Sequence, residues 1–181
     1  MRRSMSRRFP ELAALAFTAF LIAAGPATEE PPGPWTGDPH APLPASIAGG
    51  GVIHTDALRA LTASGTPLLL DVAARAERPE GLAPGNAWLP PAHRDIAGSV
   101  WLPGFGRGVL AAGEADGFQA RVAALANGDH DRTIVVYCHE RCWLSWNAAR
   151  RLIDAGWHHV LWYPEGVEGW EGAGQALAAT R

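Results

Sequence analysis

Three unbroken apolar runs constrain the fold more than any other feature: Pro67-Leu68-Leu69-Leu70-Asp71-Val72, Thr133-Ile134-Val135-Val136-Tyr137 and His159-Val160-Leu161-Trp162-Tyr163. A strand with one wet face alternates apolar and polar residues. A continuous run fits a strand covered on both faces, the usual condition of a parallel sheet. Helical patterns separate the runs. Thr55 reads as an N-cap ahead of Asp56 to Leu61, a helix ending near Gly65. Glu114 to Ala126 places Phe118, Val122 and Leu125 on one face. Ser145 to Ala155 reads as a helix with Ser145 as its N-cap and Gly156 closing it. Val167 to Ala179 is expected as a final helix, weakened by Gly169, Gly172 and Gly174. Short strands are expected at Val52-Ile53-His54 and Ser99-Val100-Trp101-Leu102, with residues 74–95 as loop. Strands alternating with helices predict an α/β fold with a mainly parallel central sheet flanked by helices.

The ends of the chain have a different character. Arg2, Arg3, Arg7 and Arg8 precede an apolar run from Leu12 to Ala24, followed by Gly25-Pro26-Ala27. Basic, apolar and then small is the order of a secretory signal peptide, here residues 1–27. The run falls short of the roughly 20 residues that span a bilayer. A secreted, periplasmic protein with no stable membrane span after cleavage is therefore expected, with an uncleaved anchor as the alternative. Residues 28–51 read as a Pro/Gly-rich linker that lies along a surface or stays mobile. Residues 52–181 read as the folded domain. Losing four arginines and Glu11 with the signal takes the net charge from −3 to −6, which argues against nucleic acid as a partner. All 15 basic residues are arginines, which excludes lysine Schiff-base chemistry. With 2 cysteines the chain builds neither a disulfide framework nor a four-cysteine zinc site.

The chemistry concentrates in Val135-Val136-Tyr137-Cys138-His139-Glu140-Arg141-Cys142-Trp143-Leu144-Ser145-Trp146-Asn147. A buried strand ends at Cys138, and a short loop leads into a helix. Sites in open α/β sheets lie at the carboxyl ends of strands. Helix-terminal N–H groups and the helix dipole favour a thiolate there, and Arg141 adds a cation. Cys138 is thus expected as a nucleophile of lowered pKa and Cys142 as its partner, while His139, Glu140, Arg141, Trp143, Leu144 and Ser145 line the substrate site. An i, i+4 cysteine pair that is locally helical brings its Cα atoms to about 6 Å, within disulfide reach. Such a bridge is strained and easily reduced, which suits redox or persulfide chemistry; a permanent bridge pinning the loop is the alternative. His139 and Glu140 read either as a solvated loop tip or as acid/base groups or ligands. Two cysteines and a histidine also suit copper or zinc, though no metal site is assigned. Trp101, Trp143, Trp146, Trp162 and Trp170 read either as a cofactor-stacking pocket near Arg107 or Arg141, or as core; core is preferred for Trp146, Trp162 and Trp170. His93, Arg94 and Asp95 are candidates for the site's entrance.

The order strand, cysteine, loop, helix with Ser-x-x-Ala-Ala resembles the rhodanese (sulfurtransferase) domain. Leu68 to Val72, Asp95-Ile96-Ala97-Gly98-Ser99-Val100-Trp101-Leu102-Pro103, Gly156 to Trp162 and Gly166 to Trp170 are similar to further segments of that family. The resemblance implies a three-layer rhodanese-like fold and sulfur transfer through a cysteine persulfide. It also implies that Asp71 organises nearby backbone rather than acting as an acid. More narrowly, Cys138-x-x-x-Cys142-Trp143, Ser145-Trp146-Asn147-Ala148-Ala149 and Trp162-Tyr163-Pro164-Glu165-Gly166 resemble a rhodanese-like family named for a CXXCW motif and associated with pyrroloquinoline quinone (PQQ)-dependent catabolism of alcohols. Three residues separate these cysteines instead of two, so a Cys-x-x-Cys oxidoreductase reading does not transfer. Cys138 to Leu144 also makes a longer loop than in ordinary sulfurtransferases. Rhodanese-fold phosphatases share that length but end the loop on an arginine, and here Leu144 stands in its place.

Two main functional readings result. One is thiol chemistry at Cys138, either sulfur transfer via persulfide or redox with Cys142, acting on a small sulfur or thiol substrate or a periplasmic redox protein. The other is non-catalytic: a PQQ- or metal-binding accessory of a periplasmic alcohol-oxidation system. A structural module with a fixed Cys138–Cys142 bridge is a third.

Overall fold

The computed structural model describes residues 28–83 and 85–179. The expected signal peptide, residues 1–27, lies outside them. In chain order the elements are β1 (Gly51–Val52), α1 (Thr55–Ser64), β2 (Leu68–Asp71), β3 (Arg94–Ile96), β4 (Val100–Trp101), α2 (Glu114–Leu125), β5 (Ile134–Tyr137), α3 (Trp143–Asp154), β6 (Val160–Tyr163), α4 (Gly166–Gly172) and β7 (Leu177–Ala179). Five strands form one sheet in the order β1-β6-β5-β2-β4, and every pairing within it is parallel. The α/β expectation holds. Among the described residues, no helix is long and apolar enough to cross a membrane.

The apolar runs are continuous because both faces of the sheet are covered. Leu68, Leu70, Ile134, Val136, Val160 and Trp162 point into a core shared with Phe118 of α2 and with Trp146, Ala149 and Leu152 of α3. The intervening Leu69, Val135, Tyr137 and Tyr163 point the other way, against Leu58 of α1 and Val167 and Trp170 of α4. All four residues of β5 are buried. Trp146 and Trp162 are core residues, as preferred from the sequence.

Three local expectations are corrected. α1 begins at Thr55 itself, and His54 takes the cap position without a side-chain cap bond. The Thr55 hydroxyl instead meets the Tyr163 hydroxyl at 2.8 Å. α3 begins at Trp143, two residues before Ser145, because the Trp143 N–H finds an acceptor in the Pro39 carbonyl at 2.9 Å. A tertiary contact thus supplies what a capping side chain would have supplied. The final helix stops at Gly172, within the glycine-rich stretch, and the chain leaves through Gly174 at φ +75°. Leu177–Ala179 then pairs antiparallel with Arg94–Ile96. Glycines lower the helical preference of this stretch by about 1 kcal/mol each, and the free edge of β3 offers an alternative.

The segment read as a linker, residues 28–51, lies along the domain rather than away from it. Ile47 is buried in the larger core. The Trp35 ring stacks on Trp143 at 4.7 Å between centroids. The Trp35 N–H donates to Asn147 Oδ1 at 2.6 Å, and Asn147 Nδ2 donates back to the Trp35 carbonyl at 3.0 Å. Trp143 and Trp146 donate their indole N–H groups to the carbonyls of Ala41 and Ser46. Prolines keep the strap extended, and buried polar partners on α3 fix it in place.

Candidate functional site

β5 delivers Cys138 to the carboxyl edge of the sheet. The loop to α3 is Cys138 to Cys142, since the helix starts at Trp143. Gly166 holds this loop from below: its φ is +57°, and a Cβ there would overlap the Cys138 carbonyl oxygen and the His139 carbonyl carbon. Only glycine permits both the left-handed backbone and the close approach. The Val167 N–H donates to the Cys138 carbonyl at 3.1 Å, tying α4 to the loop. Arg141 turns the loop at φ 51°, a conformation costly for a residue with a Cβ.

Three amides of the loop and the helix start are committed elsewhere. The Glu140 N–H donates to Glu168 Oε2 at 2.8 Å, the Arg141 N–H to the Pro164 carbonyl at 3.4 Å and the Trp143 N–H to the strap at Pro39. His139 Nδ1 meets Glu168 Oε1 at 2.7 Å. Burial pushes the Glu168 carboxyl up, but the His139 and Glu140 hydrogen bonds outweigh it and hold the carboxyl below its ordinary value.

Both cysteines are free and buried, Cys138 at 0% and Cys142 at 4% exposure. Their ionisation reverses the expectation from the sequence. Burial pushes the Cys138 thiol well above its ordinary range. Its S–H has the Cys142 carbonyl at 3.5 Å and the His139 carbonyl at 3.6 Å as acceptors. Interaction with the Cys138 side chain is the main reason the Cys142 thiol falls to about 6. The Leu144 amide and the nearby His40 and His139 lower it further, against the opposing effect of burial. Cys142 occupies the N-cap position of α3, so the helix end favours its anion. Arg141 contributes nothing comparable; it is exposed and sits 3.5 Å from Glu140.

The residues expected around the substrate divide in two. Cys138, Cys142 and Ser145 form a buried group, in which the Ser145 hydroxyl donates to the Cys142 carbonyl at 3.1 Å and accepts from the Trp162 indole at 3.0 Å. Ser145 is therefore a bridge inside the first turn, not the N-cap. Trp143 is buried under Trp35, and Leu144 is half-buried. His139, Glu140 and Arg141 stay on the surface with Glu168.

A cavity of about 750 Å³ lies beside this loop, lined by Arg75, Trp88, His93, Trp101, His139 and Glu168 among others. Neither cysteine lines it. His93 stacks on Trp101 at 3.9 Å and 7°, and Arg75 lies 4.6 Å over the Trp101 ring. The Trp101 indole donates to the Ala73 carbonyl at 2.9 Å. Behind His93, Asp71 Oδ2 is 2.8 Å from His93 Nε2, and Asp71 Oδ1 accepts the Ala73 N–H at 2.8 Å. Burial raises the Asp71 carboxyl despite these hydrogen bonds, and Asp95 adds to the rise. Asp71 thus organises backbone, as the resemblance implied, and also grips a histidine. The sequence marked this acid at a strand end and His93-Arg94-Asp95 separately. Nothing in their spacing joined them. Among the described residues, the side chains that converge closely enough to hold a cation are Asp71, His93 and Asp95, not the cysteine pair with His139.

A parallel α/β sheet with a cysteine at the end of its central strand defines a class, and the sequence places the chain within it. Residues 54–173 match the family described as Rhodanese-like domain, and the chain belongs to that family. No curated protein matches. Among solved structures, a full-length protein from Lactobacillus plantarum is similar at 21% identity, with 71% of this chain and 88% of that chain covered and a TM-score of 0.47. The Alr3790 protein from Anabaena sp. shares 18% identity over 70% of this chain and 80% of its own, with a TM-score of 0.47. A probable thiosulfate sulfurtransferase shares 21% identity over 75% of this chain and 50% of its own, with a TM-score of 0.38. No residue role follows from similarities this distant.

Proposed function

We propose that this rhodanese-like domain performs thiol-based sulfur transfer, with Cys142 as the attacking thiolate and Cys138 as the adjacent thiol that resolves it. The supporting observation is the placement of the two free thiols at the start of α3, where Cys142 takes the N-cap position and the Cys138 S–H is turned to the Cys142 and His139 carbonyls; the Cys138 side chain and the Leu144 amide hold the Cys142 thiol down while burial pushes Cys138 up. The Cys142 thiolate attacks the sulfane sulfur of a donor such as thiosulfate. The donor S–S bond breaks, sulfite leaves with the bonding electrons, and Cys142 becomes a persulfide anion. An acceptor such as cyanide takes the terminal sulfur and restores the thiolate. Without an acceptor, the Cys138 thiol attacks the inner Cys142 sulfur and expels hydrosulfide, which carries away the thiol proton. The resulting disulfide is returned to the dithiol by a partner dithiol, which is itself oxidised.

The setting is part of the proposal. The basic, apolar and small order of residues 1–27 supports export to the periplasm, where such a disulfide persists until a partner reduces it. The Cys142-Trp143 and Trp162-Tyr163-Pro164-Glu165-Gly166 motifs support placement in the CXXCW group and an accessory role in PQQ-dependent alcohol oxidation.

The test is thiocyanate formation from thiosulfate and cyanide, read alongside intact mass. The wild type is expected to turn over, and Cys138→Ser, which cannot expel the sulfur, is expected to gain one sulfur atom when cyanide is omitted. Cys142→Ser is expected to lose both signals. Turnover undiminished in Cys142→Ser would overturn the assignment. A second, non-catalytic reading is favoured by one observation, the burial of both sulfurs beside the strap. It predicts no thiocyanate and no mass gain even after the strap is removed.

A further inference from the structure

We infer that Asp71, His93 and Asp95 form a binding site for a divalent first-row metal ion, zinc fitting best, at the inner wall of the cavity beside Trp101. Each of the three offers a ligand atom, and these atoms lie within 4.8 Å of one another. They come from two places that only the fold unites. Asp71 ends β2, His93 immediately precedes β3, and Asp95 lies within it.

The donors are unusually well fixed. Asp71 is at 0% exposure, and its Oδ1 is committed to the Ala73 amide, which leaves Oδ2 directed at His93. Asp95 is at 4% exposure in a strand paired residue for residue with β7, opposite Ala178. His93 is clamped flat against Trp101, so its ring plane is set before any ion arrives. Ligands already oriented by their neighbours lose little freedom on binding. One imidazole nitrogen with two carboxylate oxygens is the donor set of zinc, manganese or ferrous sites rather than of soft copper(I).

His93 lines the roughly 750 Å³ cavity while Asp71 and Asp95 do not, so the imidazole stands between that cavity and an ion held by the three side chains. Arg75 lies over Trp101 in the same cavity wall. A purely structural Asp–His pair does not need the second buried carboxylate. This site is independent of the cysteine chemistry.

The test uses full-length protein freed of metal, wild type and Cys138→Ser/Cys142→Ser, titrated calorimetrically with zinc chloride and spectroscopically with cobalt(II). One ion per chain is expected in both proteins, with cobalt absorption of oxygen and nitrogen ligation and no sulfur-to-cobalt charge-transfer band. His93→Ala is expected to weaken zinc binding at least tenfold while leaving the circular dichroism spectrum unchanged. Asp95→Asn is expected to act in the same direction, and serves as the second variant should Asp71→Asn fail to fold. Loss of binding in the double cysteine variant, a sulfur band in the wild type as its only signal, or undiminished affinity in both His93→Ala and Asp95→Asn would overturn the site.

Discussion

The cysteine loop and the His93 cavity lie at the same edge of the sheet, at the carboxyl ends of β5 and β2, yet the chain finishes them in opposite ways. At the loop, the Glu140, Arg141 and Trp143 amides are already bonded within the protein, and both sulfurs are buried. At the cavity, a buried carboxylate is relayed outward through an imidazole to open space. The difference teaches that a strand-end position alone does not make a reactive residue. What covers the position decides whether its charge is suppressed by burial, as at Cys138, or met by a neighbouring side chain, as His93 meets Asp71.

The largest test of this contrast is Gly166→Ala. Left-handed backbone costs about 1–3 kcal/mol for a residue with a Cβ, and overlap with the Cys138 carbonyl adds about as much. Urea unfolding is expected to show a loss of about 3–5 kcal/mol, and a loss below about 1 kcal/mol would mean the loop is looser than its contacts suggest. Next is Trp35→Ala, which uncovers Trp143 without touching either sulfur. Iodoacetamide labelling of Cys142 is expected to accelerate at least tenfold, since local opening governs access to buried groups. Binding at the His93 side should stay unchanged, and a parallel change there would erase the distinction between the two regions.

The ionisation of the pair is a finer probe. Ultraviolet thiolate absorbance of the wild type is expected to titrate with a midpoint near 6, and Cys138→Ala to move it up toward the ordinary thiol value by removing the neighbouring side chain that lowers it most. The sign for stability follows. Cys142 has its pKa depressed on folding, from 9.0 to about 6, so its contribution is present above the unfolded value and is lost as pH falls through about 6. A wild-type midpoint near 9 would remove the basis for Cys142 as nucleophile. The smallest expected effect is at Arg141→Gly. Relief of the left-handed backbone is partly offset by glycine's entropy, giving a gain of about 0.5–1 kcal/mol by thermal unfolding and no change in thiol titration.

Much of the sheet was legible in the sequence, because Leu68 to Asp71 and Ile134 to Tyr137 carry the burial pattern of a two-sided parallel sheet in their composition. The errors were tertiary. The early start of α3 depends on the carbonyl of Pro39, 104 positions away from Trp143 in the chain, and the end of α4 depends on the waiting edge of β3. The expectation of a lowered Cys138 pKa weighed the helix terminus but not burial, which pushes this thiol up and could not be weighed without the packed fold. The Asp71–His93 contact spans 22 positions and two elements, and no periodicity reports such a meeting.

The Trp35–Trp143 stack has a consequence for competition. Trp35 belongs to the same chain as the surface it covers, tethered through the buried Ile47. An internal occupant of this kind acts at an effective concentration on the order of millimolar, set by its tether and not by dilution. Any outside molecule seeking the face of Trp143 must displace that occupant first. Its apparent affinity would then measure how firmly the strap is seated as much as how well the newcomer fits.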